Sequence, residues 1–195
     1  MATERSSVEL VDDTVVRQFA RAALVAALMG ATAGIAIPIS AVPGTIQMLV
    51  VFLAGLFLGP VWGAISMVLY LGAGAAGAPV FSNWEAGVGV LFGQTGGFLW
   101  AFPVAALVIG AIVHRGTDLR DPAIVSLPVL VLTLVLATVI VYVAGFTWFA
   151  WITDTALIEA FTVVAAPLIP GDLLKMAAAI AIVRTARIQP VGVDR

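Results

Sequence analysis

The chain alternates long apolar runs with short breaks that are polar or rich in Gly and Pro. A polar stretch, residues 1–16, carries Glu4, Glu9, Asp12 and Asp13 and reads as a tail. The first apolar run extends from Ala20 to about Ile39, and Pro38, Pro43 and Gly44 close it. Ile46 to Leu58 and Val61 to Ala76 are the second and third runs. Gly59-Pro60 separates them, because Pro cannot continue a helix and Gly permits a turn. Ala78 to Phe92 is aromatic, partly polar and Gly-containing, which predicts a loop. Gln94 to Val113 is the fourth run, and His114 to Pro122 is a polar connection. Ala123 to Gly145 is the fifth run and is long enough to cross about 30 Å of hydrocarbon with some tilt. Thr147 to Ile169 mixes Trp148 and Trp151 with Asp154, Glu159 and Pro167. It reads as an interfacial segment with both Trp at headgroup depth and Asp154 as a helix-start cap. The sixth span runs from about Pro170 to Arg187. The pattern predicts an all-α integral membrane protein with six transmembrane helices.

Composition agrees. Only 10% of the 195 residues are charged and 62% are hydrophobic, against roughly 25% charged in soluble domains. Little is left for an extramembrane domain, so residues 17–188 read as one unit, with 189–195 as a second tail. The N-terminal stretch has no apolar core of the kind a signal peptide needs. Cys is absent, which excludes disulfides, thiolate nucleophiles and Cys-bound metal. A net charge of -2 gives no reason to invoke nucleic acid.

The basic residues orient the chain. With six spans, every Arg falls on one side: Arg5, Arg17, Arg21, Arg115, Arg120, Arg184, Arg187 and Arg195. The opposite loops, 38–45, 78–92 and 147–169, have no Lys or Arg. By the positive-inside rule both termini are cytoplasmic in a multi-pass cell-membrane protein. The two halves share no repeat, which disfavours an inverted-repeat carrier.

Chemistry concentrates in Ile169-Pro170-Gly171-Asp172-Leu173-Leu174-Lys175. A carboxylate and an ammonium at i, i+3 share a helix face, and each costs roughly 2.5–3.5 kcal/mol at a helix centre in lipid on insertion scales. Alternatives are an N-cap role for Asp172, snorkelling by Lys175, or a purely structural pair. The other polar groups on that side include Thr45, Gln47, Tyr70, Asn83, Gln94 and Thr95. No Ser-His dyad or metal-ligating cluster accompanies them, and Asp172 with Asp154 is a weak aspartyl pair, so the expectation is binding and not catalysis, with no cofactor. His114 reads as a solvated interface residue. Phe81, Trp84, Phe92, Trp148 and Trp151 are candidate apolar walls. Span one carries two ladders of small residues, Ala22, Ala26, Gly30, Gly34 and Ala23, Ala27, Ala31, suited to close helix contact in lipid.

Several stretches occur together in order: Val42-Pro43-Gly44-Thr45-Ile46-Gln47, Leu58-Gly59-Pro60-Val61-Trp62-Gly63, Tyr70-Leu71-Gly72, Gly77-Ala78-Pro79-Val80-Phe81-Ser82, Gly93-Gln94-Thr95-Gly96-Gly97-Phe98, and Pro167 to Lys175. In these the chain resembles the BioY family, the biotin-binding S components of energy-coupling-factor (ECF) vitamin transporters. Gln94 stands where that family often has Pro, Phe98 where it has Tyr, and Leu168 where it usually has Phe. The resemblance implies an S-component-type six-helix bundle that captures extracellular biotin. It also implies a transmembrane coupling (T) subunit and two cytoplasmic ABC-type ATPases as partners, with docking through the small-residue face that includes Ala22, Ala23, Ala26, Ala27 and Gly30. The chain itself has no Gly-x-x-x-x-Gly-Lys-Ser/Thr phosphate loop. Biotin would find a cation for its carboxylate in Lys175 and an acceptor for its ureido N–H groups in Asp172. Asn83, Gln94 or Thr95 would supply a donor to the ureido oxygen. Phe81, Trp84, Tyr70 and Gln47 complete the expected site. An S component for another vitamin, or a membrane enzyme or structural protein, is the alternative.

Overall fold

The computed structural model describes residues 12–116 and 119–185. The expected tail at 189–195 and the flanking Arg5, Arg187 and Arg195 lie outside them. Among the described residues, five helices are long and apolar enough to cross a membrane, and one of these is folded back on itself.

Helix α1 is Asp13–Ala31, with the Asp12 carboxylate accepting from the Thr14 N–H at 2.7 Å. It therefore begins inside the expected tail and stops well short of Ile39. The connection to the next helix contains a short antiparallel hairpin, β1 (Ala36–Ile37) with β2 (Gly44–Thr45), in which Ala36 faces Thr45. Backbone that the sequence pattern assigned to span one is instead a folded loop over the helix ends.

Helix α2, Gln47–Ala75, is interrupted at Gly59, where φ is 76° and ψ is -174°. Only Gly adopts this conformation without strain, and Pro60 then starts the second arm at a position where its missing N–H is harmless. The arms, 47–58 and 60–75, run antiparallel. Gln47 Nε2 lies 2.8 Å from Tyr70 Oη, whereas a straight helix would separate those residues by about 35 Å. The two expected short spans are these arms.

The 78–92 segment is a loop, as the pattern predicts, with a 3-10 turn at Ser82–Trp84 and the single turn α3, Val88–Leu91. Helix α4, Gly96–His114, is the fourth span. At Gly97, an added Cβ would come within 2.4 Å of the Ala144 carbonyl oxygen and of the Trp148 Cβ. That close approach sets α4 against α5, Leu127–Thr153.

The expected interfacial segment is overturned. Residues 147–153 complete α5, and Leu157–Thr185 is one 29-residue helical span. It is built from α6 (Leu157–Ala160), a π-helical turn Phe161–Ala165, a 3-10 turn Ala166–Leu168 and α7 (Ile169–Thr185). Pro167 is accommodated where the hydrogen-bond pattern changes, not by ending the helix. Asp154 does not start a helix. It ends α5 in the left-handed conformation, φ 54°, which Asp tolerates better than most residues.

His114 is 1% exposed, not solvated. Its Nδ1 accepts from the Arg120 N–H at 3.0 Å, which leaves Nε2–H to donate to the Leu56 carbonyl at 3.0 Å. The imidazole thereby ties the Gly59 turn to the α4–α5 connection. Arg184 Nη2 donates to the Val125 carbonyl at 2.7 Å and Nη1 to that of Ala123. Arg115, Arg120 and Arg184 thus gather at the His114 end of the bundle, and Gln47, Tyr70 and Asp172 at the other.

Candidate functional site

At the end opposite His114, a cavity opens between the hairpin, α2, α4, α5 and α7, with about 500 Å³ of space between its atoms, mouth included. Concave sites that are mostly apolar with a few directed polar groups are the usual form of small-molecule sites. Met48, Phe98, Leu99, Phe102, Val141 and Leu168 form the apolar walls. Ser40 helps to shape the mouth: its Oγ accepts from the Val42 N–H at 3.1 Å, turning Val42, Pro43, Gly44 and Thr45 toward the cavity.

The polar floor is Asp172, Lys175 and Tyr142. Asp172 sits in the first turn of α7, so it does not serve as an N-cap; its side chain points into the bundle and is 5% exposed. Lys175 Nζ lies 2.5 Å from Asp172 Oδ1, and the Tyr142 hydroxyl donates to Oδ2 at 2.5 Å. A carboxylate offers about four lone-pair sites. Two are used, which leaves two for a ligand. An ammonium has three donors, and Lys175 spends one on Asp172.

Gln47 lines the cavity wall and is 1% exposed. Oxygens surround its Nε2: Tyr70 Oη at 2.8 Å and the Met29 and Val80 carbonyls at 3.4 Å each. Two of these are backbone acceptors, so the amide orientation is determined. Oε1 is the free end and takes a bond from Thr45 Oγ1 at 3.4 Å.

Of the residues singled out in the sequence, the cavity brings together Asp172, Lys175, Thr45, Gln47 and Thr95. Tyr70 stands behind Gln47, and Phe81 packs edge-on against Tyr70 with centroids 5.5 Å apart. Both are 1% exposed and support the wall without lining it. Asn83 and Gln94 line an adjoining outer vestibule. The other expected aromatic walls are elsewhere: Trp84 covers Gly34, Phe92 packs on Trp100, and Trp148 donates to the Gly93 carbonyl at 2.9 Å with Trp151 against it. Asp154 does not line the cavity. Tyr142, Phe102 and Met48 were not legible as site residues, since an aromatic or Met inside a span reads equally as core; Phe98, marked in the sequence only as a departure from the family pattern, lines the cavity as well.

The small-residue ladders divide. Ala22 is fully buried, and a Cβ on Gly30 would lie 2.7 Å from Val80, so both serve packing within the chain. Ala23, Ala26 and Ala27 instead line a shallow groove between α1 and the second arm of α2, with Ala27 exposed.

Comparison with known proteins gives a consistent picture. The BioY family profile matches residues 3–190. A protein of Pyrococcus horikoshii, described as a probable biotin transporter BioY, is 35% identical over 82% of this chain and 90% of its own. The biotin transporter BioY of Thermotoga maritima is 40% identical over 51% of this chain and 59% of its own. A solved structure, described as the S-component for biotin from an ECF-type ABC transporter, superposes with a TM-score of 0.78. That likeness covers 92% of this chain and 95% of the other at 24% identity, and it shows the fold. The family match across nearly the whole chain, together with these relatives, establishes that the chain belongs to the BioY family.

Proposed function

We propose that the chain is the biotin-binding S component of an ECF-type transporter and that the cavity above Asp172 and Lys175 receives biotin. A BioY-family chain is a transport component and not an enzyme. The observation that carries the reading is a hydrogen-bonded ion pair, its carboxylate buried and its ammonium partly so, at the floor of a mostly apolar cavity. Intramembrane ionisable residues of this kind are functional by default.

The distance between the two charges refines their roles. Asp172 and Lys175 are in contact, whereas the ureido ring and the carboxylate of biotin are separated by the length of the valerate chain. An intact pair therefore meets one end of the ligand. Opening a buried pair leaves an uncompensated charge, at about 3–5 kcal/mol. A cyclic urea carries N–H and C=O side by side. Asp172 accepts from the N–H while Lys175 donates to the oxygen, and Gln47 Oε1 offers a second acceptor. Charge-assisted bonds of this type are the strong ones. The thioether ring and methylenes then lie among Met48, Phe98, Phe102 and Leu168. The carboxylate points toward the mouth, near Ser82 and Thr95, and is not bound by Lys175 as the sequence suggested.

The cavity faces the outside and the arginine end the cytoplasm, because cytoplasmic ends concentrate Arg and Lys. A T subunit docks on the outward Ala23–Ala27 groove, and two ABC-type ATPases supply the energy that a chain without a phosphate loop lacks. Calorimetry on the detergent-purified chain with biotin, thiamine and riboflavin tests the ligand assignment. The expected result is one biotin per chain and no heat from the other two. Binding of thiamine or riboflavin in place of biotin would overturn it.

A further inference from the structure

Beyond the rim formed by Pro43, Ser82 and Thr95 lies a second space, the vestibule, with about 1170 Å³ between its atoms, mouth included. It shares those three residues with the cavity and is larger than it. Its polar lining consists of neutral groups from Ser82, Asn83, Gln94 and Thr95, with a single charge, the carboxylate of Glu85. Among the described residues no Lys or Arg lines it. Lys175, the one cation of this end among them, is held at the cavity floor by Asp172.

The loop that makes this vestibule is fixed in place. The Phe81 N–H donates to the Glu85 carbonyl at 3.1 Å, the Asn83 N–H to Ala33 at 3.0 Å and the Gly87 N–H to Gly74 at 2.7 Å. Asn83 and Trp84 are both left-handed, with φ of 58° and 63°. Asn tolerates this conformation, but for Trp it is an outlier. Backbone held in such a conformation persists only where its surroundings over-determine it, and such strain clusters at ligand-binding segments.

A free carboxylate emerging from the cavity would meet neutral donors and a like charge. An amide extension would meet side chains that both donate and accept, and an ammonium at its end would meet Glu85. We propose that the vestibule is a second subsite, which takes a polar extension on the ligand's carboxyl. The protein then binds N-biotinyl amides as well as the free acid, and prefers an amino-ended extension to an acidic one. This rests on the biotin reading above.

The test is competition against labelled biotin on the purified full chain, with two biotin amides of equal length. One is the aminopentyl amide, ending in an ammonium. The other is the amide with aminohexanoate, ending in a carboxylate. Exposed charge pairs are weak, so the amino-ended amide should bind roughly two- to five-fold tighter than the acidic one at low salt. Salt should erase that difference, and so should Glu85→Gln. Two results overturn the subsite: both amides binding about a hundred-fold or more weaker than biotin, or an equal affinity for the two that Glu85→Gln does not alter. Failure of the wild-type chain to bind biotin at all is a different outcome. It removes the biotin reading and this inference with it.

Discussion

Replacing Lys175 with Met removes the ammonium but keeps most of the apolar stem, so it isolates the charge. In the free protein the Asp172 carboxylate then keeps one donor, the Tyr142 hydroxyl. Removing one partner of a buried pair costs about 3–5 kcal/mol. The Lys175 side chain is 18% exposed, which lets water compensate in part. A folded variant with a lowered melting temperature is expected. In the complex, the variant loses the donor to the ureido oxygen. Hydrogen bonds to charged groups contribute roughly 1.5–3 kcal/mol, or about ten- to a hundred-fold in affinity. Because that bond is to the ring, biotin and biotin methyl ester should lose the same factor. Competition binding of both ligands to wild type and Lys175→Met measures it. A loss confined to the free acid would refute the reasoning, since it would mean that Lys175 leaves Asp172 to hold the valerate carboxylate.

Three further outcomes follow from the geometry. Tyr142→Phe removes a donor from Asp172 Oδ2 and should weaken biotin roughly ten-fold; unchanged affinity by calorimetry would leave Tyr142 as packing alone. Ala27→Trp fills the outward groove on α1 and should abolish co-purification with the T subunit and uptake while biotin binding persists. Loss of biotin binding as well would make that face internal. A single Cys at Ser82 should react with an impermeant thiol reagent applied outside biotin-free cells, and labelling that appears only after permeabilisation would reverse the orientation.

The sequence carried those parts of the fold that depend on local chemistry. Gly59-Pro60 announces the turn of α2, because the conformation it needs belongs to Gly and the position after it suits Pro. Asp172 and Lys175 at i, i+3 announce a shared face. Thr147 to Ile169 was misread for an equally local reason. Trp148, Asp154, Glu159 and Pro167 are residues of interfaces and breaks, yet here Trp148 spends its N–H on Gly93 and Pro167 sits in a π-to-3-10 transition. The remaining errors concern distant partners. His114 is buried because Leu56 and Arg120 supply its hydrogen bonds, and Asp172 is oriented by Tyr142 on another helix. No pattern of hydrophobicity says which polar group will meet which across the bundle. The same holds for the cavity walls. Phe98 reaches them because α4 closes on α5, where a Cβ added at Gly145 would lie 2.3 Å from its ring.

The central claim is that the buried pair at the cavity floor is where biotin binds, and the double variant Asp172→Asn with Lys175→Met tests it most directly. It leaves no unpaired charge, and Asn keeps the shape of Asp, so the fold should survive with a near-native melting transition. Equilibrium binding of labelled biotin to wild type and double variant, purified side by side, is the measurement. The account predicts that the double variant shows no saturable binding at concentrations that saturate the wild type. Wild-type affinity in the double variant would contradict it and reduce the Asp172–Lys175 pair to a structural contact.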